Sequence, residues 1–105
     1  MARYAIIDPE NYSDEQKAAA MEIAGSRGSV RGPCQVLLHN PALVEILEKY
    51  GAYARFNNSL PDRLNELAVA ICGRYWGAHV EWIAHSRLAL EAGISQSIIG
   101  RTGNL

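Results

Sequence analysis

The sequence predicts an all-α fold, and three observations predict it. Apolar residues recur at helical spacing nearly throughout, and no run alternates polar and apolar positions as a half-buried strand does. Serine, asparagine, proline and glycine also stand where helices start and stop. That punctuation divides the chain into about five to six helices, a helical bundle. At 105 residues the chain suits a single domain, 1–105, because a smaller core would bury too little apolar surface to offset chain entropy.

The first helix is read from "YSDEQKAAAMEIAG". Ser13 is the N-cap, Gln16 three residues on completes a capping box, and good helix formers run to Gly25. "SRGSVRGP" holds two glycines and a proline, so it reads as an irregular connection before a short helical turn in "CQVLLHN". A longer helix follows, with Asn40 as N-cap and Pro41 at its first position. Its apolar stripe, Leu43, Ile46, Leu47, Tyr50, Tyr53 and Ala54, is expected to face the core, and the opposite side, Glu45, Glu48, Lys49 and Arg55, to face solvent.

After Pro61 the segment "SLPDRLNELAVAICGRYW" predicts the next helix, with Leu64, Leu67, Ala68, Ile71 and Tyr75 as its core stripe. A second face is unusual there, because the small or apolar Val69, Ala70 and Gly73 surround Glu66, which has no basic residue three or four positions on. Gly73 weakens a helix by about 1 kcal/mol relative to alanine, which points to close approach of another element. The following helix is read from Gly77 to Ala92 with Gly93 as its stop, and a brief one from "SQSII".

On that penultimate helix Ala78, Glu81, Trp82, His85 and Ala89 share one stripe, while Val80, Ile83 and Leu90 make other sides apolar as well. Such a helix is expected between neighbours or in a subunit contact. A carboxylate and an imidazole four residues apart can satisfy each other in such surroundings, which is the bland reading of Glu81 and His85. The sharper reading makes His85 a proton carrier, since imidazole titrates near neutrality, with Glu66 from the preceding helix as the second acid or base. A metal held by Glu66, Glu81 and His85 is a weaker alternative, because His79 and His85 lie on different sides of the helix.

Composition narrows the function classes. The formal net charge is -1, with no basic run to neutralise phosphates, so no nucleic-acid partner is expected. No apolar run approaches the roughly 20 residues that span a bilayer and no signal-peptide pattern opens the chain, so no membrane role and a cytoplasmic location are expected. Cys34 and Cys72 are far apart, without redox or metal-ligand spacing, and both read as small buried hydrophobes.

"SLPDRLNELAVAICGRYWGAHVEWIAHSRLALEAGIS", with "RGPCQVLLHNPAL" and "ARFNNSLP" upstream, resembles the carboxymuconolactone decarboxylase and AhpD-like family from about Arg31 to about Ser95. The resemblance lies in the Gly-Pro and Leu-Leu-His-x-Pro stretch, the arginine before "SLP", the E-L-A helix and E-W-x-x-H, in that order. It implies an AhpD-like helical fold completed by assembly into trimers or hexamers. It further implies that Glu66 and His85 match the proton-relay pair and that Glu81 and Trp82 match the E-W pair that shapes the substrate site.

One branch of that family carries C-x-x-C before the histidine and reduces peroxides or disulfides. Here those positions are Ala78 and Glu81, so thiol chemistry loses its nucleophile and resolving partner. The other branch removes carboxylate from a small lactone with neither metal nor organic cofactor, and the resemblance implies that kind of lyase, with a small lactone or carboxylic acid as substrate. A non-catalytic binding or assembly module of the same fold is the second expectation. Val80 and Cys34 depart from the aromatic residues common at those places, and "GRTGNL" closes the chain where relatives continue with further helices. A truncated member, or part of a longer protein, is implied.

Overall fold

The computed structural model describes residues 3–105. Its regular structure is helical, six α-helices and a 3-10 turn at Pro9–Asn11, with no strand among the described residues. The helices are α1 (Asp14–Arg27), α2 (Pro33–Leu37), α3 (Pro41–Phe56), α4 (Asp62–Tyr75), α5 (His79–Glu91) and α6 (Gln96–Thr102). Two compact units divide the chain, Met1–Asn58 and Ser59–Leu105. No described helix is long and apolar enough to cross a membrane.

In the first unit, α1 starts on the capping box foreseen for it. Gln16 N–H donates to Ser13 Oγ at 3.2 Å and Ser13 N–H donates to Gln16 Oε1 at 3.0 Å. The helix does not stop at Gly25. It continues to Arg27 and ends on Gly28, whose φ of 77° is a left-handed conformation that costs glycine nothing. Ile23, Leu38, Val44 and Ala19 form the core of this unit.

The stripe expected to bury α3 is the exposed one. Ile46, Tyr50 and Tyr53 are 68%, 72% and 65% exposed, whereas the buried residues are Val44 and Glu48. The reason is packing against α1 along the Val44–Glu48–Gly51 line. A Cβ at Gly51 would lie 2.7 Å from an Arg27 terminal nitrogen, so glycine at this position lets the guanidinium lie against α3. Arg27 Nε donates to both oxygens of Glu48, at 2.9 and 3.1 Å, and the Ser26 hydroxyl donates to the same carboxylate. Glu48, read from the sequence as solvated, is thus drawn inside by a cation on the neighbouring helix.

In the second unit, α4 and α5 pair closely and α6 packs on α5. Its core holds Ala89, Ile94 and Ile99, with Leu67, Trp82, Leu90 and Ile98 against them. Again the face with the larger apolar residues is turned out. Leu64, Ile71 and Tyr75 are exposed, while Asn65, Ala70 and Gly73 are buried. Small residues let two helix backbones approach, so α4 presents Ala70 and Gly73 to its neighbour; of the bulky stripe Leu67 still packs on the core, while Leu64, Ile71 and Tyr75 stay outside.

Gly77, at φ 67°, turns the chain between the two helices, and α5 begins at His79, two residues later than the sequence reading. Its far end closes as foreseen: Gly93 is left-handed at φ 102° and Ile94 N–H donates to the Ala89 carbonyl at 2.9 Å. Val80 and Ile83, on the outer side of α5, are exposed.

Candidate functional site

The candidate site lies wholly within the second unit. α4 contributes Glu66 and α5 contributes Glu81, Trp82 and His85. His85 Nδ1 lies 2.5 Å from Glu66 Oε2, and Nε2 lies 3.3 Å from Glu81 Oε2. One imidazole therefore stands between two carboxylates, one from each helix.

The two contacts differ in origin. Glu81 and His85 are four apart on α5 and meet along one face, whereas Glu66 and His85 are 19 positions apart and meet across the α4–α5 pair. The three groups are graded in access: the side chain of His85 is 8% exposed, that of Glu66 14% and that of Glu81 39%. Water and small solutes therefore reach this triad most readily on the Glu81 side.

Each ring nitrogen of His85 faces a carboxylate oxygen, and an ionised carboxylate only accepts hydrogen bonds, so either nitrogen can donate to the acid beside it. An imidazole oriented through one nitrogen by a buried carboxylate and presenting the other is a recurrent acid/base arrangement.

Trp82 packs in the core beside Ala89 and Ile99 and is half-buried, with its ring 3.5 Å from where a Cβ on Gly103 would stand. Arg74 Nε holds that end of the chain by donating to the Gly103 carbonyl at 2.8 Å. Trp82 is thus anchored in the core of this unit, next to Glu81 in the chain. Nothing in the sequence marked Arg74 and Gly103 as its supports, because the contact joins residues 29 positions apart.

Other titratable residues stand elsewhere. His39 is exposed, with Nε2 2.8 Å from the Ala5 carbonyl and its ring against Tyr4, as a residue before a helix start can be. Cys34 is half-buried in the first unit, whereas Cys72, read from the sequence as a buried hydrophobe, is exposed on α4, on the side turned away from the small residues that pack. Among the described residues no group of three or more His, Cys, Asp or Glu is arranged to hold a metal ion. An open groove of about 710 Å³ in the first unit, with Glu15, Glu22 and Lys49 on its lining, includes none of the four site residues.

Compared with known protein families, with curated proteins and with solved structures, the chain matches none.

Proposed function

We propose that the second unit carries the acid/base site of a cofactor-independent lyase acting on a small lactone or carboxylic acid, of the kind that the resemblance to carboxymuconolactone decarboxylase implies. The observation that carries this reading is the imidazole of His85, almost fully buried, with Glu66 at 2.5 Å on one nitrogen and Glu81 at 3.3 Å on the other. A plain structural pair needs one partner for the ring; two carboxylates of unequal exposure supply one that orients and one that opens.

In the proposed reaction the bond between the substrate's carboxylate carbon and the ring breaks and carbon dioxide leaves. The electron pair passes into the conjugated lactone, and the carbon that receives it takes the proton from His85 Nε2. Glu66 keeps Nδ1 protonated and holds the ring in place while the positive charge on it is spent and restored. Glu81 relays the replacement proton from solvent, and Trp82 supplies the apolar wall against which an unsaturated ring can lie.

Assembly into a trimer or hexamer is part of the same proposal. What supports it is the exposed apolar side of α3 in the first unit and, separately, the exposed Val80 and Ile83 on α5 in the second, since exposed apolar patches mark association sites. The same observation favours a second reading, a non-catalytic assembly module with His85 and the two carboxylates as internal polar packing. An AhpD-like reductase remains disfavoured, as Ala78 and Glu81 stand where its two cysteines would be.

The deciding experiment measures carbon dioxide release from a panel of small unsaturated lactone acids. His85→Ala and Glu66→Gln should each lower turnover by about 10²–10⁴-fold, the range for a lost general acid, with helicity unchanged by circular dichroism. Normal turnover by both variants would reject the acid/base assignment. A wild-type chain that neither binds nor turns over any member of the panel would favour the assembly module.

A further inference from the structure

Gly73 is a point of very close approach between α4 and α5. A Cβ there would stand 2.9 Å from the Trp82 backbone nitrogen, 3.1 Å from the Glu81 Cβ and 3.3 Å from the Glu81 carbonyl carbon. Two of these three atoms are backbone and cannot rotate away as the tip of a side chain does, so a methyl group at this position forces the helices to separate. The connection between the helices is tied at the same level, where Ala78 N–H donates to the Gly73 carbonyl at 2.8 Å.

Glu66 lies two helical turns before Gly73 on nearly the same face of α4, and His85 lies one turn beyond Glu81 on α5. The backbones are thus already in contact a short way along the hairpin from the place where Glu66 and His85 meet. We infer that Gly73 is a positioning residue for the acid/base pair: its missing side chain sets the spacing of α4 and α5, and that spacing sets the reach of Glu66 to His85 Nδ1. The inference rests on the acid/base reading of the site.

The two contacts of His85 respond differently to that spacing. Glu66 sits across the helix pair, whereas Glu81 sits on the same helix as His85, so moving α4 from α5 stretches the Nδ1 contact and leaves the Nε2 contact in place. General loosening of the unit would disturb both.

The test uses the full chain with ¹⁵N-labelled histidine and reads the His85 ring nitrogens and the Nδ1-bound proton by NMR. Wild type and Gly100→Ala, a control on α6 where an added Cβ meets nothing within 4 Å, should both show a low-field Nδ1 proton. Gly73→Ala should lose that line and shift the Nδ1 resonance more than Nε2, although alanine is the better helix former. A folded Gly73→Ala with the wild-type Nδ1 signal would overturn the inference.

Glu66→Asp decides the matter if Gly73→Ala does not fold. Its carboxylate is one methylene shorter, and helices already in backbone contact at Gly73 have no room to close the gap, so it should lose the Nδ1 line with helicity intact. An unaltered Nδ1 signal in Glu66→Asp would overturn the inference. A wild-type chain without the low-field line would instead overturn the site reading itself, and the inference with it.

Discussion

Each unit sets a carboxylate against a neighbouring helix, Glu48 buried and Glu66 half-buried, and the two differ in what faces it. Glu48 on α3 meets the Arg27 guanidinium and the Ser26 hydroxyl, while Glu66 on α4 meets the His85 imidazole. A guanidinium stays charged at any pH a protein survives, so the Arg27–Glu48 pair passes no proton and serves to join α1 to α3. An imidazole can hold or release a proton where a guanidinium cannot, and the proposed acid/base role rests on that difference. Burying an acid is therefore not in itself a sign of chemistry; the partner decides.

The largest effect expected from breaking this contrast is at the structural pair. Arg27→Ala leaves Glu48 inside the first unit without its cation and should cost about 3–5 kcal/mol in urea denaturation, the usual range for one partner removed from a buried pair. Replacing Arg27 and Glu48 together by methionine should recover most of that loss. If Arg27→Ala unfolds at the wild-type urea concentration, Glu48 is hydrated and the comparison fails.

A smaller stability change is expected at the other carboxylate. Glu66→Gln keeps the shape and the hydrogen-bonding capacity of the side chain, so it should cost about 1–3 kcal/mol in the same measurement, at the low end if the amide oxygen still accepts from His85. Its consequence belongs to the proposed chemistry. A loss of stability as large as that of Arg27→Ala would make Glu66 a structural clamp as well.

The smallest effect is expected where a carboxylate and a cation meet in water. On α3 the hydrogen bond from Lys49 holds the Glu45 carboxyl below its ordinary value, and Glu45 raises the Lys49 ammonium in turn. A lowered carboxyl contributes stability above its ordinary range that is lost as pH falls through the lowered one. A raised ammonium contributes below its ordinary range, and that is lost as pH rises through the raised one. The pair therefore acts between the two ranges, and because both groups are fully solvated, Lys49→Met should leave the thermal midpoint unchanged at moderate salt. A clear salt-dependent drop at neutral pH would show that this surface pair matters more than its exposure allows.

Helix ends were legible in the sequence because they depend on neighbours within a few residues. Ser13 with Gln16, Asn40 with Leu43 N–H at 3.3 Å, and Gly93 after α5 all act locally. Gly25 and Gly77 were misjudged as boundaries for the complementary reason: a glycine permits a turn without requiring one, and the flanking residues settle where it falls. The sequence pairs Glu66 with His85 only as the sharper of two readings, and the structure brings the two side chains to 2.5 Å.

Which faces turn inward was not legible. Hydrophobic periodicity marks the side of a helix that avoids water, and on α3 and α4 that side is the exposed one, Ile46 and Tyr50 on the first, Ile71 and Tyr75 on the second. Local sequence determined that this chain is helical and where most of its helices begin and end. Tertiary structure decided that Gly51 and Gly73 face neighbouring helices, that Arg27 takes Glu48 inside, and how near Glu66 comes to His85. Close packing of small residues and pairing of distant charges depend on partners many positions away, and no local pattern carries that information.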